Sequence, residues 1–173
     1  MFTRIRQRFQ DMHTIKVLCQ SAETYANADG QKEPGAEHFV LAALELPDGT
    51  ARKAFERMQS DPDGYRAAIT RQYDDALRNI GIAVSLDATE SAASPILAGK
   101  GVYRAKPSAQ ALMQQLAARK KEDAGKPLLG AHVLLAATAA RHGVALRALE
   151  AMGIQPAALA GAAAAEIDAF PSS

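Results

Sequence analysis

Apolar residues fall at helical spacing along most of this chain, and Gly, Pro and Asp interrupt the pattern at intervals that cut it into short helices. Met12, Ile15, Leu18, Cys19, Ala22 and Ala26 recur every three or four residues, and Asp29-Gly30 closes that run. Pro34-Gly35 leads into Glu37 to Leu46, where Phe39-Val40-Leu41-Ala42-Ala43-Leu44 is apolar on nearly every side and predicts a central helix. Pro47-Asp48-Gly49 breaks it. Thr50 to Met58 restarts a short helix with Ala51, Ala54, Phe55 and Met58 on one face. Asp61 as N-cap with Pro62 at the first helical position opens a fourth, striped by Tyr65, Ile69, Tyr73, Ala76, Leu77 and Ile80.

The same plan then returns. Ser108 to Asp123, Ala131 to Ala140, Val144 to Met152 and Pro156 to Ala169 predict four more helices, with Gly125, Gly130, Gly143 and Gly153 near the breaks. The echo extends to identity at a constant offset of 94 positions: His38/His132, Leu41/Leu135, Gly49/Gly143, Glu56/Glu150, Met58/Met152 and Pro62/Pro156 match, besides several alanine pairs. A long-period repeat of this kind is an architectural signal. The expected fold is all-α, a pseudo-twofold duplicated four-helix repeat of about eight helices in one domain spanning 1–173. Repeat 1 covers about 11–80, a connector about 81–106 and repeat 2 about 107–169. The connector is rich in Ser, Gly and Ala with weak periodicity, which suggests a surface segment.

Composition narrows the function classes. A 173-residue chain with 48% hydrophobic residues and no Trp has the make-up of one soluble helical domain. A formal net charge of +1 gives no global pull toward nucleic acid, and Arg4, Arg6 and Arg8 read as a solvated basic arm. Cys19 has no intramolecular disulfide partner and lies on the apolar stripe of the first helix, so it reads as a small core residue in a reducing, cytoplasmic setting. Met1 to Asp11 lacks the apolar run of a signal peptide, and no run of about 18 apolar residues predicts a membrane span. His38 and His132 hold equivalent places at helix starts, which favours a structural hydrogen bond over metal ligation; His13 and His142 have no ligand-type neighbours. Neither a metal nor another cofactor is expected.

Gly35-Ala36-Glu37-His38-Phe39-Val40-Leu41-Ala42-Ala43-Leu44, echoed by Gly130-Ala131-His132-Val133-Leu134-Leu135-Ala136-Ala137, resembles the N-terminal domain of Clp unfoldases, and the likeness runs from about Asp11 to Ala169. The resemblance implies a non-catalytic module of ATP-dependent proteolysis or protein quality control, with a polypeptide substrate, an adaptor protein or a Clp ATPase as partner. No Walker A motif occurs in these residues: Gly99-Lys100 is followed by Gly101, and Ser94 stands where the upstream glycine would be. In Clp members that read phosphoarginine, each repeat pairs a Thr at the start of its first helix with a Glu twenty-five residues later. Those positions here are Met12 and Glu37, then Lys106 and Ala131, so only Glu37 is kept. Glu37 is the one candidate ligand-binding residue the resemblance leaves, and placement in the first turn of a helix is its structural alternative. Arg119-Lys120-Lys121 complements the dipole at a helix C-terminus rather than forming a docking patch. Two further readings stay open: a regulator that sequesters Clp adaptors or substrates, and a repurposed small-molecule-binding helical domain.

Overall fold

In a computed structural model, which describes residues 2–80 and 104–171 and side chains from residue 5, eight α-helices account for the regular structure of the described residues. They are α1 (Phe2–Ala28), α2 (Ala36–Leu44), α3 (Thr50–Arg57), α4 (Gly64–Asn79), α5 (Pro107–Glu122), α6 (Gly130–Thr138), α7 (Val144–Ala151) and α8 (Pro156–Ala169). The expected connector lies outside the described residues except for Arg104 to Lys106.

The two central helices are the most buried. All nine residues of α2 are buried, and α6 packs directly against it. A helix apolar on every side has no face to offer water, so it takes the middle and the amphipathic helices cover it. Pseudo-twofold symmetry is visible in the pairing: α1 lies on α2 as α5 lies on α6, and α3 meets α8 as α7 meets α4. Each repeat therefore covers part of the other, and one continuous core holds Leu18, Phe39, Tyr65, Leu134, Leu149 and Leu159.

Several contacts join the halves through polar atoms. Asp48, in the turn after α2, accepts the Gly130 N–H at 3.1 Å, and Thr50 Oγ1 accepts the Ala131 N–H at 2.9 Å. These are two of the first N–H groups of α6, which no residue within that helix can satisfy, so the first repeat supplies the cap. At the start of α2 the Ala36 N–H donates to Ser108 Oγ on α5 at 3.2 Å. Glu166 on α8, 8% exposed, is paired with Arg57 on α3.

Three expectations on element boundaries change. First, α1 begins at Phe2, so the basic arm is helical rather than a free tail. Its core-facing stripe starts only after Asp11, and the preceding turns are held by Gln7 and Asp11 on the α5–α6 loop. Second, α4 starts at Gly64: Asp61 Oδ1 accepts the Asp63 N–H at 3.0 Å and caps a turn that precedes the helix. Third, of the α4 stripe Tyr65 and Ile69 are buried and Tyr73 is half-buried against the core, while Leu77 and Ile80 are exposed. The alanine-rich α8 turns Leu159, Ala163 and Ile167 inward against α6 and α3, where small side chains let helices approach closely.

Candidate functional site

Glu37 stands in the first turn of α2 and is 2% exposed. Its Oε1 accepts a hydrogen bond from the Tyr73 hydroxyl on α4, and the ammonium of Lys106, at the start of α5, lies 3.9 Å away. Lys106 also donates to Gln31 Oε1 at 2.8 Å, rests 5.4 Å above the Tyr73 ring and ties its backbone N–H to Pro34 O at 2.9 Å. Burial, then the bond to Glu37, push the Tyr73 hydroxyl well above the ordinary phenol range, so it stays a donor.

His38 sits beside this carboxylate. Its Nδ1 accepts the Gly35 N–H at 2.9 Å, which places the ring proton on Nε2, facing Asp29 Oδ2 at 3.3 Å. The imidazole thus caps the start of α2 with one nitrogen and reaches the residue just after α1 with the other. Arg66 holds Asp29 from the opposite side at 3.4 Å. Burial drives the His38 pKa down, against the pull of Glu37 and Asp29.

The second repeat keeps the histidine and the aspartate but not the other members of the cluster. His132 Nδ1 accepts the Leu129 N–H at 3.1 Å, and burial again lowers its pKa. Asp123 occupies the position of Asp29, but its carboxylate is 3.6 Å from His132 Nε2, too far for a hydrogen bond, and is 40% exposed against 12% for Asp29. Ala160 stands where the first repeat has Arg66, so nothing at that position pulls Asp123 inward. Glu37, Tyr73 and Gly35 become Ala131, Ile167 and Leu129. The exchanges belong together. A Cβ on Gly35 would collide with the Glu37 carboxylate, a Leu is admissible once that carboxylate is gone, and a buried phenol without its acceptor is better replaced by an aliphatic chain.

The structure therefore places the four family positions unequally. Lys106 and Glu37 come together across the repeat boundary, the lysine side chain 31% exposed and the carboxylate side chain 2%. An external cation reaches Glu37 only after Lys106 moves. Ala131 is buried at the start of α6 with its N–H held by Thr50. Met12 projects from α1 and is 66% exposed. Sequence reasoning missed Tyr73, Asp29 and Arg66 as parts of this cluster; extending the 94-residue comparison back to Asp29/Asp123 would have found one of them.

Both histidines have folded-state pKa values below that of a free imidazole, about 6.5, so the unfolded chain takes up protons first as the solution is acidified. Stability is expected to be flat above about pH 7.5 and to fall as the pH drops through about 6.5. Urea melts across that window check it, and His132→Gln should flatten the slope. A midpoint independent of pH in this range would mean the rings are not held neutral by the fold.

A second feature lies on the outside of α1. Ile5, Phe9 and Met12 are exposed, and beyond them Ile15 opens into a hollow between α1 and α5. Cys19 is half-buried and packed against the core. Among the described residues no group of His, Cys, Asp or Glu is placed to hold a metal ion, and no helix is long and apolar enough to cross a membrane. Compared with known families, residues 13–98 match the model of the Clp repeat (R) N-terminal domain. None of the curated proteins matches the chain.

Proposed function

From the premise that this chain belongs to the Clp repeat N-terminal domain family, we propose that it is a non-catalytic module that binds protein or peptide on behalf of a Clp-type unfoldase, in the cytoplasm. The partner is a polypeptide substrate, an adaptor or the ATPase itself. The observation that carries this reading is the contrast between inside and outside. The polar groups capable of chemistry, Glu37, His38, Asp29 and Tyr73, are engaged with one another and with helix starts, whereas apolar side chains of α1 are left on the surface. Enzymes direct perturbed titratable groups into an open cleft, while binding modules present apolar area with a few charges.

Glu37 belongs to this proposal as a support for the start of α2 and, once Lys106 swings away, as an acceptor for a cationic side chain of the ligand. The test is a pulldown from native cytosol with the purified chain, with and without ATP, followed by reconstitution with whatever Clp component is recovered. Recovery of a Clp ATPase, its protease or an adaptor, and a changed degradation rate on adding the chain, are the expected results. A folded, monodisperse chain that recovers none of them sinks the reading.

A further inference from the structure

The N-terminal half of α1 exposes Ile5, Phe9 and Met12 to 50%, 69% and 66%. Steps of four and three residues put all three on one side of the helix, and a further step of three arrives at Ile15. Ile15 lines a hollow of about 290 Å³ with Met113, Leu116 and Ala117 of α5 and with Leu128. The fold itself does not require this stripe. The core-facing side of α1 runs through Leu18, Ala22 and Ala26, and its N-terminal turns are attached through Asp11, which accepts the Leu128 N–H at 2.8 Å. An exposed apolar stripe that continues into a concave apolar hollow is an interaction surface.

Its charge selects the partner. Arg8 precedes Met12 by four residues and Lys16 follows it by four, so both flank the stripe, and Lys121 stands at the rim of the hollow; all three are exposed. Lys120 is already engaged, 3.3 Å from Asp11 and bonded to the Lys126 carbonyl, which also neutralises the one carboxylate of the hollow. The rim is therefore positive.

We propose that this α1–α5 surface docks an acidic amphipathic segment of a partner protein. Apolar side chains of the segment cover Phe9 and Met12 and one enters the hollow, while its carboxylates meet Arg8, Lys16 and Lys121. The proposal rests on the binding-module reading above and adds the face and the chemistry of the partner. A second copy of the chain would bring the same cations against each other, which disfavours self-association. A lipid surface has no protruding side chain to fill the hollow.

The test uses the whole chain and a synthetic amphipathic helix with leucines on one side and glutamates on the other, beside the same peptide with lysines replacing the glutamates. Anisotropy titrations should show the acidic peptide binding at least about tenfold more tightly than the basic one, with affinity falling as salt rises. Phe9→Ala and Lys121→Glu, at exposed sites that leave the helical spectrum unchanged, should each weaken it by about tenfold. Equal binding of both peptides, or an unchanged affinity in Phe9→Ala, overturns the proposal. So does Phe9-dependent sedimentation with phosphatidylserine vesicles in the absence of peptide binding, which would assign the surface to a membrane. If the acidic peptide fails while Clp components are still recovered from cytosol by Phe9→Ala, this proposal falls and the broader function stands.

Discussion

Truncating Tyr65 to alanine is expected to cost about 3–5 kcal/mol of folding stability, the range for removing a fully buried aromatic side chain. Tyr65 has no solvent-accessible surface, meets the Phe55 ring edge-on with centroids 6.0 Å apart, and donates its hydroxyl to the carbonyl of Ala145 at 3.2 Å. It thus binds α4 of the first repeat to α7 of the second. The cavity left by alanine would lie between the repeats, where neither can close over it alone. Tyr65→Phe separates the two contributions: it keeps the volume and removes one hydrogen bond, so its cost should be about 1 kcal/mol. Urea denaturation by circular dichroism checks both, with equal m-values required for the comparison. A loss below about 1 kcal/mol in Tyr65→Ala would show that the repeats are not joined through this ring. If the alanine variant does not fold, the phenylalanine variant still measures the hydroxyl.

The duplication was legible because it is written in residues that repetition holds in register. His38/His132 mark helix starts, Gly49/Gly143 mark breaks, and both glycines do have positive φ, which explains their retention at equivalent turns. Eight helices and the centrality of α2 follow from spacing alone. Helix ends were less legible. Asp61-Pro62 carries an N-terminal signature, yet the aspartate caps a turn and α4 starts later. Local capping chemistry serves a turn as readily as a helix, and the choice was made by packing on α7.

The polar cluster around Glu37 was only half legible for a different reason. Its carboxylate could be placed at a helix start from sequence, but Tyr73 and Lys106 reach it from distant positions on α4 and at the start of α5, and no local pattern encodes such a meeting. The same holds for Asp48 and Thr50, which cap α6 from the other repeat. Once the cluster is seen, comparison between the halves explains it: Gly35, Glu37, Arg66 and Tyr73 give way to Leu129, Ala131, Ala160 and Ile167 as a set. Loss of the carboxylate leaves a phenol without an acceptor and frees the space that required glycine. The exposed stripe of α1 was hidden by its own arginines: Arg4, Arg6 and Arg8 suggested a solvated arm, and Ile5, Phe9 and Met12 among and after them gained meaning only when helical geometry aligned them.

Replacement of Gly130 by alanine is expected to destabilise by about 2–3 kcal/mol. A Cβ at this position would lie 2.8 Å from the carbonyl oxygen of Ala43 and 3.0 Å from the Cβ of Ala51. Neither neighbour is the end of a flexible side chain, so α6 must move away from α2 and α3. That movement also lengthens the bonds by which Asp48 and Thr50 satisfy the first N–H groups of α6. The pseudo-equivalent position on α2 is Ala36, which already carries a Cβ, so the close approach belongs to one side of the axis only. Gly161 is the matched control. It lies inside α8, and a Cβ there would have no neighbour within 4 Å, so Gly161→Ala should stabilise by about 0.5–1 kcal/mol through helix propensity. One chemical change then acts with opposite signs at two helical sites, and thermal melts of the pair give the answer. Equal effects at Gly130 and Gly161 would mean that α6 does not pack against α2 and α3 at backbone contact, and the continuity of the core across the repeats would have to be drawn differently.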